Sequence, residues 1–185
     1  GRESWGYDAQ LSHWILDEND NPMLPDHDNA IKSANRVSKT PAYGLMAEDW
    51  EDRWSRNAAV IIDNSGSTSM KSGITHKDSG HEMTVLDRHI MTAAVYLANF
   101  PKQGNYMIIT PSHSAVRRGV YDNFYAHIRS FDNTDDAIEH LFTIRPGGGG
   151  FSSRPDFKSE IDELMKRQNY TNVLLIMDEQ IGHFL

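Results

Sequence analysis

Cysteine is absent from this 185-residue chain, which excludes a disulfide framework and any thiolate metal site. Also missing is an apolar run of the ~18 residues that a membrane-spanning helix needs. The first residues lack the basic and apolar regions of a secretory leader. The sequence therefore reads as a soluble, non-exported protein, expected in the cytoplasm and off membranes. Positive charge is in deficit, with 18 Lys and Arg against 26 Asp and Glu for a net charge of −8. Binding nucleic acid or an anionic membrane by bulk charge is thereby disfavoured, although a local basic surface is not. Aromatics are not scarce: four Trp, seven Phe and seven Tyr are ample for a core. The length fits one domain, or one domain with an extension.

Two regions differ in character. Residues 1–56 hold all four tryptophans (Trp5, Trp14, Trp50, Trp54), three prolines and many Asp and Asn. They read as an N-terminal extension that lays its tryptophans on a main domain at 57–185. Within it, His13–Leu16, the turn Asp17–Asn21 and Pro22–Leu24 form a hairpin pattern whose second arm is shortened by Pro22 and Pro25. The stretch from Asp26 to Thr40 is polar enough that little burial is expected. Asp26, His27 and Asp28 suit a solvated turn, with metal binding as the alternative. A helix over 47–56 would place Trp50 and Trp54 on one face.

From Ala58 onwards, strand and helix patterns alternate. Ala58–Ile62 is a continuous apolar run of buried-strand type. Over Met83–Phe100, Leu86, Ile90, Ala93, Ala94 and Leu97 follow helical spacing, and Pro101 and Gly104 end the helix. Tyr106–Thr110 is the next strand, Val116–Arg118 a candidate third, and Phe124–Ile128 ambiguous. Asp132–Asp136 opens a helix that runs to Phe142, capped by Asn133 or Thr134. A further helix spans roughly 155–167, and Val173–Met177 is a second buried strand. Strands separated by helices predict a mostly parallel sheet flanked by helices, with right-handed crossovers.

Chemistry concentrates where the first strand ends. Asp63-Asn64-Ser65-Gly66-Ser67 puts a carboxylate and two hydroxyls at i, i+2 and i+4 on a loop at the carboxyl edge of an α/β sheet, where ligands bind. Oxygen-only donors suit a hard divalent cation, Mg²⁺ or else Mn²⁺ or Ca²⁺. The same residues also suit an ordinary helix cap and turn. Asp178 stands at the end of the strand Val173–Met177 and can converge with Asp63 if the two strands are neighbours. Gly147–Gly150 is a run of four glycines, costly in chain entropy and open to close backbone approach. Phe151, which cannot ligate, and then Ser152 and Ser153 follow it.

The hydrophobic strand, the DxSxS loop at Asp63, Ser65 and Ser67, the glycine loop and the later Asp178 together resemble the metal-ion-dependent adhesion site (MIDAS) of von Willebrand factor A (vWA) domains. The likeness covers about residues 57–185 by order of elements and is strict at Asp63, Ser65 and Ser67. It implies a Rossmann-like three-layer sandwich with a cation at its upper edge, held by Asp63, Ser65, Ser67, Asp178 and, after a one-residue shift past Phe151, Ser152. It also implies a protein partner that offers an acidic side chain to the cation. In bacteria and their viruses such domains often work beside AAA+ ATPases of the MoxR type. The chain departs from the family pattern at Met177-Asp178-Glu179, where Thr-Asp-Gly is usual. It departs again in the polar stretch from Thr68 to Gly80, which is similar to an insertion in Ro-type RNA-binding proteins.

Competing functions are weaker on residues. His81-Glu82 begins a zinc-protease pattern, but residue 85 is Val, and a helix-start Glu capped from Asp78 or Ser79 is the simpler reading. No GxxxxGK[ST] loop is present. A metal-dependent hydrolase would need a general base that no His spacing announces. A nucleic-acid-associated role, Ro-like or in a phage nucleoprotein complex, would draw on Lys71, Lys77, Arg117, Arg118 and Arg154. The vWA resemblance implies a non-enzymatic, metal-dependent protein-binding module; a nucleic-acid-associated factor, a metal-dependent hydrolase and a vWA relative whose site no longer binds metal, which Phe151 favours, are the alternatives.

Overall fold

The computed structural model describes residues 16–19, 21–37, 56–111, 128–147, 159, 162, 163, 166, 170 and 172–176. In chain order the elements are α1 (His27–Val37), β1 (Asn57–Ile62), β2 (Lys71–Thr75), β3 (Glu82–Thr84), α2 (Val85–Ala98), β4 (Gln103–Ile109), β5 (Ile128–Asn133), α3 (Thr134–Leu141) and β6 (Val173–Ile176). A 3-10 turn, Gly66–Ser69, lies between β1 and β2.

β1, β4, β5 and β6 form one sheet in the order β5-β4-β1-β6. β1 runs parallel to β4, with Val60 opposite Ile108, and parallel to β6, with Ile62 opposite Ile176. Being central, β1 is covered on both faces, and Ala58 to Ile62 are all buried. That is why its sequence shows no polar alternation. β5 joins β4 in the antiparallel sense, Tyr106 opposite Phe131. Its alternating, half-exposed sequence Ile-Arg-Ser-Phe-Asp-Asn is that of an edge strand. The described residues thus form an α/β fold with a mostly parallel four-stranded sheet flanked by helices, compatible with a Rossmann-like arrangement.

α2 buries Leu86, Ile90, Ala93, Ala94 and Leu97 as their spacing requires. It starts two residues later than the periodicity implies, because Met83 belongs to β3. Its cap is Thr84, whose hydroxyl accepts from Asp87 N at 3.0 Å while the Asp87 carboxylate accepts from Thr84 N at 3.0 Å. This reciprocal box replaces the expected cap from Asp78 or Ser79. Ser79 is used instead inside the β2–β3 turn, its Oγ 2.8 Å from His76 Nδ1, and Glu82 pairs with Lys71 at 3.2 Å. The segment from Thr68 to Gly80 is therefore a turn and a hairpin, not a plain loop. In α3, Asn133 is the cap, accepting from Asp136 N at 2.8 Å. Beyond it, Ser159, Asp162, Glu163 and Lys166 are helical and exposed.

The N-terminal region differs most from expectation. Asp17 Oδ1 accepts from Asn19 N and Asn21 N, and Leu16 bridges Pro22, so a tight turn forms as the sequence implies. The polar stretch after it does bury surface. α1 is capped by Asp26, which accepts from Asn29 N at 2.8 Å, and its small face Ala30, Ser33 and Ala34 is buried. With Met23, the two alanines join the same core as Leu86 and Ile90. Three small side chains at helical spacing carry little hydropathy, yet they allow close helix packing. All four tryptophans, the helix proposed over 47–56 apart from Arg56, and Val116–Arg118 lie outside the described residues. No helix among the described residues is long and apolar enough to cross a membrane.

Candidate metal centre

The sheet order sets the site. From β1 the chain moves outward through β4 to β5, then returns to the other side of β1 for β6. The carboxyl ends of β1 and β6 thus flank a topological switch point, the usual ligand crevice of open α/β sheets. Asp63 N donates to Ile176 O at 2.9 Å, so the loop after β1 begins while still tied to β6.

Asp63 is fully buried. A carboxylate held out of water needs hydrogen bonds or positive charge around it. One bond is local: Ser65 N donates to Asp63 Oδ1 at 2.8 Å, which turns the chain back towards the carboxylate. The Asp63 Oδ2 atom is buried as well. Thr68, also fully buried, fixes the following turn from below. Both its backbone N (2.9 Å) and its Oγ1 (2.6 Å) donate to Ser65 O. This fold-back brings Ser65 Oγ to 3.1 Å from Ser67 Oγ. Ser65 is nearly buried and Ser67 exposed, so the hydroxyl pair runs from the floor of the site to its rim. Met70, 65 % exposed, ends the turn and leads into the β2–β3 hairpin beside the site.

Two residues at this site carry no signal in the motif. His89, fully buried on α2, lies beneath the loop with Nδ1 3.3 Å from Asp63 O. The acceptor is a carbonyl, so this contact is a hydrogen bond when Nδ1 carries the proton. His89 thus supports the backbone of the key aspartate. Asn64, 2 % exposed, donates from Nδ2 to Arg145 O at 3.1 Å and accepts at its own carbonyl from Gly147 N at 2.9 Å. The first glycine of the glycine run is thus tied directly to the DxSxS loop.

Of the sequence-derived ligands, the structure brings Asp63, Ser65 and Ser67 together. Ser152 and Asp178 lie outside the described residues, as does Phe151. Asp178 follows Ile176, the residue bonded to Asp63 N, by two positions. Among the described residues no three His, Asp or Glu side chains converge, so carboxylates and imidazoles alone make no metal cluster there. Asp26 and His27 are accounted for otherwise: Asp26 caps α1, and His27 Nε2 lies 3.8 Å from Asp135. Of the basic residues, Lys71 is paired with Glu82, and Arg117, Arg118 and Arg154 are outside the described residues.

Ser65 and Ser67 supply oxygen donors of the kind a hard cation takes. Mg²⁺–oxygen bonds of about 2.0–2.1 Å at right angles put neighbouring ligands roughly 2.9 Å apart. The Ser65–Ser67 hydroxyl separation of 3.1 Å is close to one edge of that octahedron. No protein-family model, no curated protein and no solved structure matches this chain.

Proposed function

We propose that the chain is a vWA-like, metal-dependent protein-binding module rather than an enzyme. In this reading Asp63, Ser65 and Ser67, with Asp178 and Ser152 from the later loops, hold Mg²⁺ (or Mn²⁺ or Ca²⁺) at a MIDAS-type site, some through water. The sheet is then the core of a Rossmann-like three-layer sandwich working in the cytoplasm. The observation that carries the reading is the pair of serine hydroxyls at an octahedral-edge separation, beside a buried aspartate at the switch point. A cation there supplies the local positive charge with which an acidic chain can hold an acidic side chain of a partner. A MoxR-type AAA+ ATPase is the partner class that the vWA resemblance favours. Metal-dependent hydrolysis and a nucleic-acid role are the alternatives.

Mn²⁺ titration followed by the electron paramagnetic resonance of the free ion tests this reading. Wild type is expected to bind one ion. Ser67→Ala, an exposed change, and Ser65→Ala are each expected to weaken binding roughly tenfold or more by removing a direct ligand, with small effects on folding. Equal affinity in all three proteins would contradict the assignment.

A further inference from the structure

Resting on the metal-binding reading above, we infer that Asn64 is a positioning residue that clamps the glycine-run loop to the metal loop, and so sets cation affinity without being a ligand. The geometry is reciprocal. Asn64 Nδ2 donates to Arg145 O at 3.1 Å, and Asn64 O accepts from Gly147 N at 2.9 Å. Between them stands Pro146, which has no N–H and a fixed φ, so both bonds close on a short, stiff segment. Asn64 lies between Asp63 and Ser65, so its backbone cannot shift without moving both. It is 2 % exposed, which keeps water from competing for either bond.

The next residues explain why a clamp is needed. Gly147 opens a run of four glycines, the residue type that loses most chain entropy on ordering, so a loop that follows it needs a fixed origin. Fastening Gly147 to Asn64 supplies that origin. Groups that hold ligand loops in place without touching the metal typically change affinity by about 10–100-fold when removed. Linkage requires the converse, that a bound cation tightens the clamp.

The test compares full-length wild type with Asn64→Ala and Asn64→Asp, each followed by amide hydrogen exchange and Mn²⁺ titration. The reporter is Gly147 N–H, whose acceptor is a backbone carbonyl that neither substitution removes. Exchange at Gly147 is expected to accelerate up to roughly tenfold in both variants without metal, the scale of one hydrogen bond. Mn²⁺ affinity is expected to fall about 10–100-fold. Asn64→Asp separates positioning from simple proximity. It removes the donor to Arg145 O while adding negative charge beside Asp63, so a residue acting only by closeness to the ion would bind Mn²⁺ more tightly after the change. Unchanged Gly147 exchange, or tighter binding in Asn64→Asp, overturns the inference and leaves the metal reading intact. A wild type that binds no Mn²⁺ overturns the metal reading instead, and the exchange arm then decides the clamp alone.

Discussion

Asp63, Ser65 and Ser67 were legible because they are close in sequence and follow a strand whose burial shows in its composition. Asn64 and His89 were not, because their partners lie 81 and 26 residues away. A buried Asn or His becomes informative only when the fold shows what it touches. Gly104 is a different case. In the sequence it reads as a helix terminator, but in the structure it lies in β4, where a Cβ would collide with the backbone Arg56 O and stand 2.7 Å from the Tyr106 hydroxyl. Arg56 O is backbone and accepts from Asn105 N at 2.6 Å, so it cannot yield without breaking the start of the sheet. Gly104→Ala is expected to destabilise the fold by ~2–3 kcal/mol, read as a lower urea midpoint with an unchanged slope. A shift below about 0.5 kcal/mol would show that Arg56 moves freely.

Elements were legible where periodicity was long or the cap chemistry strong. β1, α2, β4, α3 with its Asn133 cap, and β6 all follow from composition and spacing. The β2–β3 hairpin was missed because its alternation is weak and interrupted by a bulge, with Gly73 and Gly80 at φ of 83° and 72°. α1 was missed because its buried face is made of Ala and Ser. The hairpin feeds straight into α2, which makes the Thr84–Asp87 box a junction as well as a cap. Thr84→Ala is expected to cost about 1 kcal/mol. Asp87→Ala should cost about as much, since it loses the bond from Thr84 N and a 3.4 Å contact with His81. The double variant should cost less than the sum of the two, because each bond belongs to one reciprocal unit. Additive losses in chemical denaturation would contradict that coupling.

At the scale of the whole molecule, a mostly parallel sheet was legible from the alternation of apolar runs with helices. Its order, and the antiparallel β5, were not, since register and neighbour choice are long-range. The fold buries two phenols whose titration reports its integrity. Burial pushes Tyr106 up to about 12, against the opposing pull of Arg56, and Tyr170 up to about 12, against a smaller lowering influence of the nearby Asn105 side chain. Both fold-state values exceed the unfolded value of 10, so the unfolded chain loses these protons first as pH rises. Stability is then unaffected by them below pH 10 and falls between 10 and 12, by up to ~1.4 kcal/mol per pH unit for each tyrosine. Tyr170→Phe should flatten that alkaline loss relative to wild type in melts taken at successive pH values; an identical slope would contradict it.

If Asp63 and its two serines form a cation site, Mg²⁺ must stabilise the folded chain, which a thermal melt of wild type and Asp63→Ala, each in EDTA and then in millimolar Mg²⁺, reads out. A ligand at 100 times its dissociation constant stabilises the folded state by ~2.7 kcal/mol, a rise of about 5–10 °C for a chain of this size. Wild type is expected to show such a rise and Asp63→Ala to show none, whatever its own baseline. Equal melting temperatures with and without Mg²⁺ in wild type, repeated with Mn²⁺ and Ca²⁺, would contradict a cation site there.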